Sequence, residues 1–525
     1  MSPHLVILFI LIPMFTGIAA LLAHRFRALQ RLIGLTGLVA NTAVAAWALV
    51  TVASPTGEVG RILVSQMGNW PAPFGISVVV DPLSALMIFV ASAVTLAVFL
   101  YAITQLPDRL ESGFFHPLFH LLLFGVQWSF VTGDLFNLFV AFEIMLMASY
   151  AMFCLGTGRA QMRHAHKYVL LNLFASMLLV TGCGLVYAQL GTLNLADITR
   201  IALAGEMPST MTPVAMLLLV VFGSKTAIFP LWYWLPETYP TLPAVIGGLF
   251  AGLLTKVGAY VMIRVFVMTF GHAEAIEGVI MPVLLVTSAV TMFLGVLGAV
   301  SMHTVRRILS IHIISQVGYM VLGIGLMTEL AVAGAIFFIL HNMVVKCCLF
   351  LCAGLMKSHA GSDNLDHIGG LLARAPWLAT LFLIAALSLA GLPPLSGFFG
   401  KWILIHEAFV EAHWILAAVA IATSLLTLLS MLKIFSYGFW SPPAGRHVEA
   451  PEHRPATAGG MIAVGLLVLM ALSMGPAARL WMTACRSAAS SVVNPRPYVA
   501  AVLGEQHVPA PATVAATSTD GEAMP

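Results

Sequence analysis

The sequence predicts an all-α protein that crosses a lipid bilayer many times. Of its 525 residues, 60% are hydrophobic and only 9% are charged, and the mean hydropathy is +0.98. Soluble domains carry about 25% charged residues, so the composition excludes a soluble fold. Apolar runs of more than about 18 residues recur between short polar or proline-bearing loops, and such runs cross a bilayer as helices. The net charge of +3 is small and scattered, which disfavours a nucleic-acid partner.

Taken in order, the apolar runs predict about fourteen transmembrane helices. The first run has no basic segment before it and no A-x-A cleavage motif, so we expect a retained helix. The runs before the first proline-rich region fall at 4–23, 33–53, 82–104, 115–132, 135–156 and 168–190. A first broken region occupies 211–236 and 242–268. The later runs fall at 279–301, 308–327, 330–356, 377–410 (a second broken region), 413–438 and 458–483.

The runs group into five segments along the chain. Residues 1–106 hold N-terminal helices, 107–270 a first repeat, 271–440 a second repeat, and 441–486 a C-terminal helix. From 487 to 525 the chain is rich in Ala, Pro, Thr, Ser and Val without helical periodicity, which predicts a disordered tail.

Lysine and arginine concentrate in alternate loops, and this asymmetry predicts the orientation. With the N-terminus outside, the inner loops hold a long basic set: Arg25, Arg27, Arg31, Arg109, Arg159, Arg163, Lys167, Arg306, Arg307, Lys357, Arg374, Arg446 and Arg454. The alternate loops hold Arg61 and Arg200, and otherwise acids such as Glu274 and Glu277. Both termini are therefore expected outside.

The stretch from Lys225 to Lys256 carries the functional argument. Each lysine lies inside a hydrophobic run, and a charge at the bilayer centre costs about 2.5–3.5 kcal/mol on insertion scales. Four prolines between them rule out one continuous helix: Pro230, Pro236, Pro240 and Pro243. Such a break beside a buried charge is typical of an ion or substrate path, because the freed backbone groups line a cavity. The alternative is that both lysines snorkel to the interfaces.

A second break resembles the first. In LAGLPPLSGFFGKWIL, Pro393 and Pro394 with three glycines interrupt the helix, and Lys401 follows within two turns. Lys225 and Lys401 therefore look like counterparts. They lie five predicted spans apart, and an odd number of spans reverses the orientation of the second copy. The pattern predicts two inverted five-helix repeats, each with a discontinuous helix.

Glu143 lies in the middle of a span with no lysine or arginine in its own helix. An unpaired carboxylate in lipid would protonate, so we expect it to titrate in a proton path or to pair with a lysine on another helix, with Lys225 favoured. The alternative is a static ion pair that locks two helices.

The other ionisable groups inside the spans are Lys346, His312, His341, Arg264 and Lys433. For Lys346 a structural and a functional role are equally open, and for Arg264 and Lys433 we expect snorkelling. The six cysteines lie mostly in apolar runs, which favours packing over disulfides or a metal site. No GxGxxG or Cys₄ spacing is present, so we expect no cofactor.

Six segments together resemble the antiporter-like membrane subunits, a superfamily with proton-pumping subunits of respiratory complex I, hydrogenase relatives and Mrp-type cation/proton antiporters. They are GDLFNLFVAFE, KTAIFPLWYWLPETYP, LFAGLLTKVGAY, SIHIISQVGYM, HNMVVKCCLF and GLPPLSGFFGKW. The match covers roughly residues 80–440 and keeps the order of the motifs. DLFNLFVAFE and the chain length are most similar to the D subunits of Mrp (Mnh or Pha) antiporters.

The resemblance implies a role for each residue. Glu143 and Lys225 would form a coupling pair, Lys256 would bridge to the centre, and Lys401 would be the terminal lysine near the outer exit. His312 and His341 would relay in the second half, with Lys346 on the same helix as His341. Complex I-type relatives place a histidine four residues before that lysine, where this chain has Asn342, which puts the role of His341 in question.

The favoured function is therefore proton translocation in a multisubunit Na⁺(K⁺)/H⁺ antiporter of a bacterial inner (plasma) membrane. The resemblance implies hetero-oligomeric partners, a related large A subunit and small subunits. The alternative is a proton-pumping subunit of an NADH–quinone oxidoreductase or a membrane-bound hydrogenase. A pure scaffold is disfavoured by the lysines inside the membrane.

Overall fold

The structure is a computed structural model that describes residues 3–155, 158–442 and 457–509. The helices of its N-terminal part and first half are α1 Leu8–Leu22, α2 Arg27–Val52, α3 Pro82–Gln105, α4 Asp108–Leu110, α5 His116–Val131, α6 Leu135–Cys154, α7 Arg159–Leu190, α8 Leu195–Leu203, α9 Met211–Thr226, α10 Leu235–Thr238 and α11 Ala244–Met262. The helices that follow are α12 Glu274–Ser301, α13 Val305–Leu326, α14 Glu329–Ala360, α15 Leu371–Arg374, α16 Pro376–Ala390, α17 Ser396–Val410, α18 Trp414–Phe435, α19 Ala458–Ser473, α20 Ala478–Val493 and α21 Arg496–Leu503.

A short antiparallel hairpin, which the sequence did not predict, precedes α3. Its strands are β1 Leu63–Gln66 and β2 Ser77–Val80, with Leu63 opposite Val80. Asp81 directly after β2 caps α3, because its carboxylate accepts the Ser84 amide at 2.9 Å. The hairpin is therefore joined directly to a membrane helix.

The all-α membrane fold is confirmed, whereas the count of fourteen spans is not. Within the described ranges, ten helices are long and apolar enough to cross a membrane, or eleven if the bent pair α19 and α20 counts as one span. α9 and α16 are apolar but shorter, since each ends at a break. The apolar central parts of α11, α13 and α14 are buried inside the protein and form its centre, while the flanking helices expose one side.

A hydrogen-bond pattern repeats in the two halves. Before α6, the Leu135 amide donates to the Leu193 carbonyl, and the Leu195 amide donates to the Gly133 carbonyl. The same two bonds recur before α13, where they join Val305 to Asp363 and Leu365 to His303. Each of these four residues follows its counterpart in the first half by the same number of positions. A shared loop geometry at a constant spacing supports the expected internal repeat.

The expectation of a disordered tail from 487 is wrong for the part that the structure describes. α20 continues to Val493, and α21 covers Arg496–Leu503. Ser487, Ala488 and Val492 are buried. Small residues allow close helix packing, so their frequency here reflects a tight interface rather than disorder. The remainder of that segment, 510–525, lies outside the described residues, as do Arg446 and Arg454 of the predicted inner loops.

Candidate functional site

Lys225 is buried at the end of α9. The alternative that it snorkels to a membrane interface therefore does not hold for this lysine. Its side chain is only 5% exposed. Its Nζ donates to the Asn172 carbonyl oxygen at 3.2 Å and to Ser176 Oγ at 3.1 Å, both on α7. The two acceptors lie one turn apart, a polar pair in an apolar run that the sequence-based prediction missed. Neutral oxygens of a neighbouring helix therefore solvate this amine.

Glu143 lies on α6, which packs against α7, the helix that also packs against α9. The ring of its neighbour Phe142 meets Phe222, three residues before Lys225, with 6.5 Å between centroids. Glu143 Oε1 is buried without a hydrogen-bond partner, and no described lysine or arginine lies within 4.0 Å of its carboxylate. The structure thus places Glu143 and Lys225 on helices that both pack against α7, without joining them in an ion pair.

Lys256 lies on α11 between the two halves of the protein. Its Nζ donates to the Ala251 carbonyl at 2.6 Å and contacts Thr255 Oγ1 at 3.2 Å. Two glycines hold α11 close to its neighbours. A Cβ at Gly258 would lie 2.5 Å from Thr226 Oγ1 on α9, and a Cβ at Gly252 would lie 3.2 Å from the Met343 carbonyl on α14. Lys256 is therefore placed between the helices that carry Lys225 and Lys346.

His341 and Lys346 are both fully buried on α14. His341 Nδ1 lies 2.8 Å from Ser396 Oγ, which contacts Ser388 Oγ at 2.8 Å across the second break. Asn342 instead donates to the backbone carbonyl of Phe338 in its own helix. Of the two neighbours, His341 is thus the one that faces the broken helix. Lys346 Nζ turns to α13 and lies 3.4 Å from a backbone carbonyl oxygen.

His312 lies on α13, where its Nε2 contacts Ser430 Oγ of α18 at 2.9 Å. Its Nδ1, like Nε2 of His341, is buried without a partner among the described residues. A buried polar atom left unpaired costs about 1–3 kcal/mol, and buried water is the usual partner of such atoms. The second half therefore carries unpaired histidine nitrogens next to its lysines.

Lys401 lies on α17, just after the second break. Its Nζ donates to the carbonyls of Leu389 and Ala390 at 3.0 Å each and to Ser424 Oγ at 3.3 Å. The same Nζ is 5.1 Å from the centroid of the Tyr319 ring. The amine thus caps the last turn of α16, where the helix dipole favours positive charge.

Arg264 and Lys433 do not behave alike. Arg264 is buried, and its guanidinium forms two bonds with the Asp81 carboxylate, one of them 2.7 Å long from Nη1. It also donates to Ser84 and Tyr260, so the expectation of snorkelling is wrong for it. The Asp-Pro pair at 81–82 is a helix-start signal, and it does not reveal that Asp81 is buried or that it pairs with Arg264. Lys433 is half-buried, and its Nζ donates to two carbonyls at the end of α12.

A further buried acid, Glu111, lies between the N-terminal helices and was not singled out in the sequence. Arg31 donates to it twice at 2.6 Å, and His116 Nε2 lies 3.2 Å away. Burial raises the pKa of Glu111, but the bonds from His116 and Arg31 outweigh it and lower the pKa to about 2. This cluster is separate from the two breaks.

Within the described part of the chain, no group of three or more His, Cys, Asp or Glu side chains could hold a metal ion, and all six cysteines are free.

Fold and site together define a polytopic membrane protein with two broken helices and buried lysines beside each break. The family described as "NADH:quinone oxidoreductase/Mrp antiporter, TM" matches residues 132–427, and the chain belongs to it. The D subunit of the Na(+)/H(+) antiporter of Alkalihalophilus pseudofirmus is 43% identical over 96% of this chain and 100% of that protein. The resemblance to the D subunits of Mrp-type antiporters is thereby confirmed.

Solved structures agree with this family. A chain of the Mrp complex from Dietzia sp. DQ12-45-1b superposes with a TM-score of 0.87 at 30% identity, covering 96% of this chain and 100% of that one. A chain of respiratory complex I from Thermus thermophilus superposes with a TM-score of 0.79 at 24% identity, covering 93% of this chain and 99% of that one, which shows a shared fold.

Proposed function

We propose that this chain translocates protons in a multisubunit Na⁺(K⁺)/H⁺ antiporter of the bacterial plasma membrane. The observation that carries the proposal is the series of ionisable groups inside the helix bundle, from the half-buried Glu143 on α6 to the buried Lys401 on α17. Such groups are expensive in a membrane protein and are typical of proton relays. The names of the curated relatives support exchange of Na⁺ for H⁺.

In the first half, Glu143 and Lys225 form the coupling pair. Lys225 rests on neutral oxygens of α7, and Oε1 of Glu143 is buried without a hydrogen-bond partner among the described residues. Movement of the amine toward the carboxylate stabilises the charged forms of both groups, and its return destabilises them. A contact that forms and breaks in this way loads and releases a proton.

Lys256 links the halves, because α11 touches both α9 and α14. Beyond it, Lys346, His341 and His312 relay the proton, with water at the unpaired ring nitrogens. Lys401 is the terminal group near the outer exit. Its amine lies on the carbonyls freed by the second break, which provide a polar site in an apolar surrounding.

Orientation and partners belong to the same proposal. Following the distribution of basic residues, both termini face the outside. The chain acts as a non-enzymatic subunit beside a related large A subunit and small membrane subunits, and it requires no cofactor of its own. The similar Dietzia chain is part of a complex, which supports such an assembly.

The second candidate is a proton-pumping subunit of a redox complex, which the fold shared with complex I favours. The series of ionisable side chains from Glu143 to Lys401 could move protons in either kind of complex. The two candidates differ in what drives the protons, so an assay with separate cation and NADH additions distinguishes them.

The test uses the whole operon in inside-out vesicles from a strain that lacks its own antiporters. After energisation, the pH gradient is followed by fluorescence quenching while Na⁺ or K⁺ is added, for wild type, Lys225→Ala and the half-exposed control Lys167→Ala. Cation-dependent dequenching that only Lys225→Ala loses supports the proposal. No response to either cation, with NADH-driven pumping that Lys225→Ala loses, supports the redox candidate instead.

A further inference from the structure

A cavity of about 340 Å³ lies at the basic end of the bundle, where α3 ends, α11 begins and α14 ends. Among the residues that the structure describes, three cationic side chains line it, Arg109, Arg306 and Lys357, and no aspartate or glutamate does. Acids are otherwise frequent at this end, as Glu111, Asp363 and Asp366 illustrate. The described charged side chains that line the cavity are therefore all basic.

The start of α11 adds to this positive field. Ala244 and Val245 line the cavity, and the Pro243 before them supplies no side-chain cap. The Gly247 amide donates to the Pro243 carbonyl, so the amides of the preceding helical residues have no acceptor within their own helix. Free amides and the helix dipole at an N-terminus attract anions.

The cations differ in how they are held. Arg306 donates to Asp363 at 2.6 Å and to the Leu242 carbonyl at 2.8 Å, which fixes it at the cavity wall. No carboxylate in the described part of the chain lies within ion-pair distance of Lys357 Nζ. Lys357 therefore borders the cavity without an ion pair to any described carboxylate.

We propose that this cavity binds a phosphate-type oxyanion, held by Lys357, Arg306 and the amide groups at the start of α11. The anion is either dissolved phosphate or the headgroup of an anionic phospholipid, which present the same oxygens. Its position matters because α11 carries Lys256 and α14 carries Lys346, so an anion bridging their ends ties together the two helices at the centre. The proposal does not depend on the direction or the cation of transport.

A simpler account is that these residues only follow the general excess of basic residues at one membrane face. Arg307 separates the two accounts, because it adjoins Arg306 and is exposed but does not line the cavity. Under the simpler account, removing Arg307 or Lys357 would weaken anion binding equally.

The experiment uses the purified complete complex with wild-type chain, Lys357→Gln, Lys357→Arg and Arg307→Gln. In one arm, radiolabelled inorganic phosphate is titrated in a non-ionic detergent by equilibrium dialysis at constant ionic strength. In the other, the complex is placed in phosphatidylcholine nanodiscs with phosphatidylglycerol added, and retained phosphatidylglycerol is measured after re-extraction.

We expect Lys357→Gln to weaken binding about tenfold in one arm, as for the loss of one charge-assisted hydrogen bond, with Arg307→Gln unchanged and Lys357→Arg close to wild type. The arm that responds identifies the source of the anion. Equal binding by wild type and Lys357→Gln in both arms would overturn the proposal, and so would an equal loss in Arg307→Gln. Because binding is read directly, these results are independent of antiport activity.

Discussion

The two broken helices share one backbone design and place their lysines differently. α9 and α16 each end in a left-handed residue, Ala227 and Gly391. In both, the next amide donates back into the last turn, from Ile228 to Gly223 and from Leu392 to Leu387. Lys225 lies two residues before its left-handed residue, and the equivalent position in the second half is Leu389.

Lys401 reaches that equivalent position from the other side of its break. It stands on α17, yet its Nζ bonds to the carbonyl of Leu389. Lys225 and Lys401 are therefore not positional counterparts, although both amines lie near the end of the helix that precedes the break, α9 or α16. Lys225 takes its acceptors from α7, whereas Lys401 takes them from the break itself. Lys225 thus has two acceptors and Lys401 three, so we expect Lys225 to be the amine that moves more readily.

The largest effects are expected from removing the charged groups. Lys225→Ala, Lys401→Ala and Glu143→Ala should each abolish cation-driven proton exchange in inside-out vesicles, since each interrupts the relay. Assembly, measured by co-purification of the other subunits, should persist. Normal exchange by one of these variants would remove that residue from the path.

Moving the second lysine tests the comparison directly. Lys401→Leu combined with Leu389→Lys places an amine at the position equivalent to Lys225. We expect exchange to recover partly relative to Lys401→Leu alone, because the amine returns to the same end of α16. Exchange no higher than in Lys401→Leu would mean that approach from α17 is essential.

Two serines provide a matched pair with smaller effects. Ser176→Ala should lower the exchange rate about tenfold, because Lys225 loses one of two acceptors and a bond to a charged group contributes about 1.5–3 kcal/mol. Ser424→Ala should lower it less than about threefold, since that contact is long and Lys401 keeps two carbonyls. Initial rates of dequenching at saturating cation measure both. The reverse order would contradict the view that Lys401 is held by its own break.

The smallest effect on exchange is expected at Glu111, which is remote from both breaks. Because its folded pKa of about 2 is below the unfolded value of about 4.3, the ionised form stabilises the fold above pH 4. That stability is lost as the pH falls through the folded pKa. Glu111→Gln should therefore lower thermal stability at neutral pH and flatten its dependence between about pH 4 and pH 2, with exchange unchanged. A Glu111→Gln variant that lost exchange but kept its thermal stability would link this cluster to transport.

The breaks themselves could be predicted from the prolines and glycines, because these residues cannot continue a helix. The partners of the lysines could not. Asn172 and Ser176 are far from Lys225 in the sequence, and only the packing of α7 on α9 brings them to its amine. For Arg264 the sequence predicted snorkelling, because no residue near it in the chain revealed that Asp81 would pair with it.

The amino-acid sequence alone was enough to predict a helical membrane protein of the antiporter-like family. It also predicted where the helices break and which ionisable residues lie inside the membrane spans. These properties follow from hydropathy, from proline and glycine, and from the high cost of charge in lipid, which are all local. Only the folded chain revealed that Glu143 and Lys225 stand apart, that His341 rather than Asn342 faces the second break, and that the Ala- and Ser-rich segment after 487 forms helices. These outcomes depend on contacts between residues distant in the chain, for which a single sequence contains no local signal.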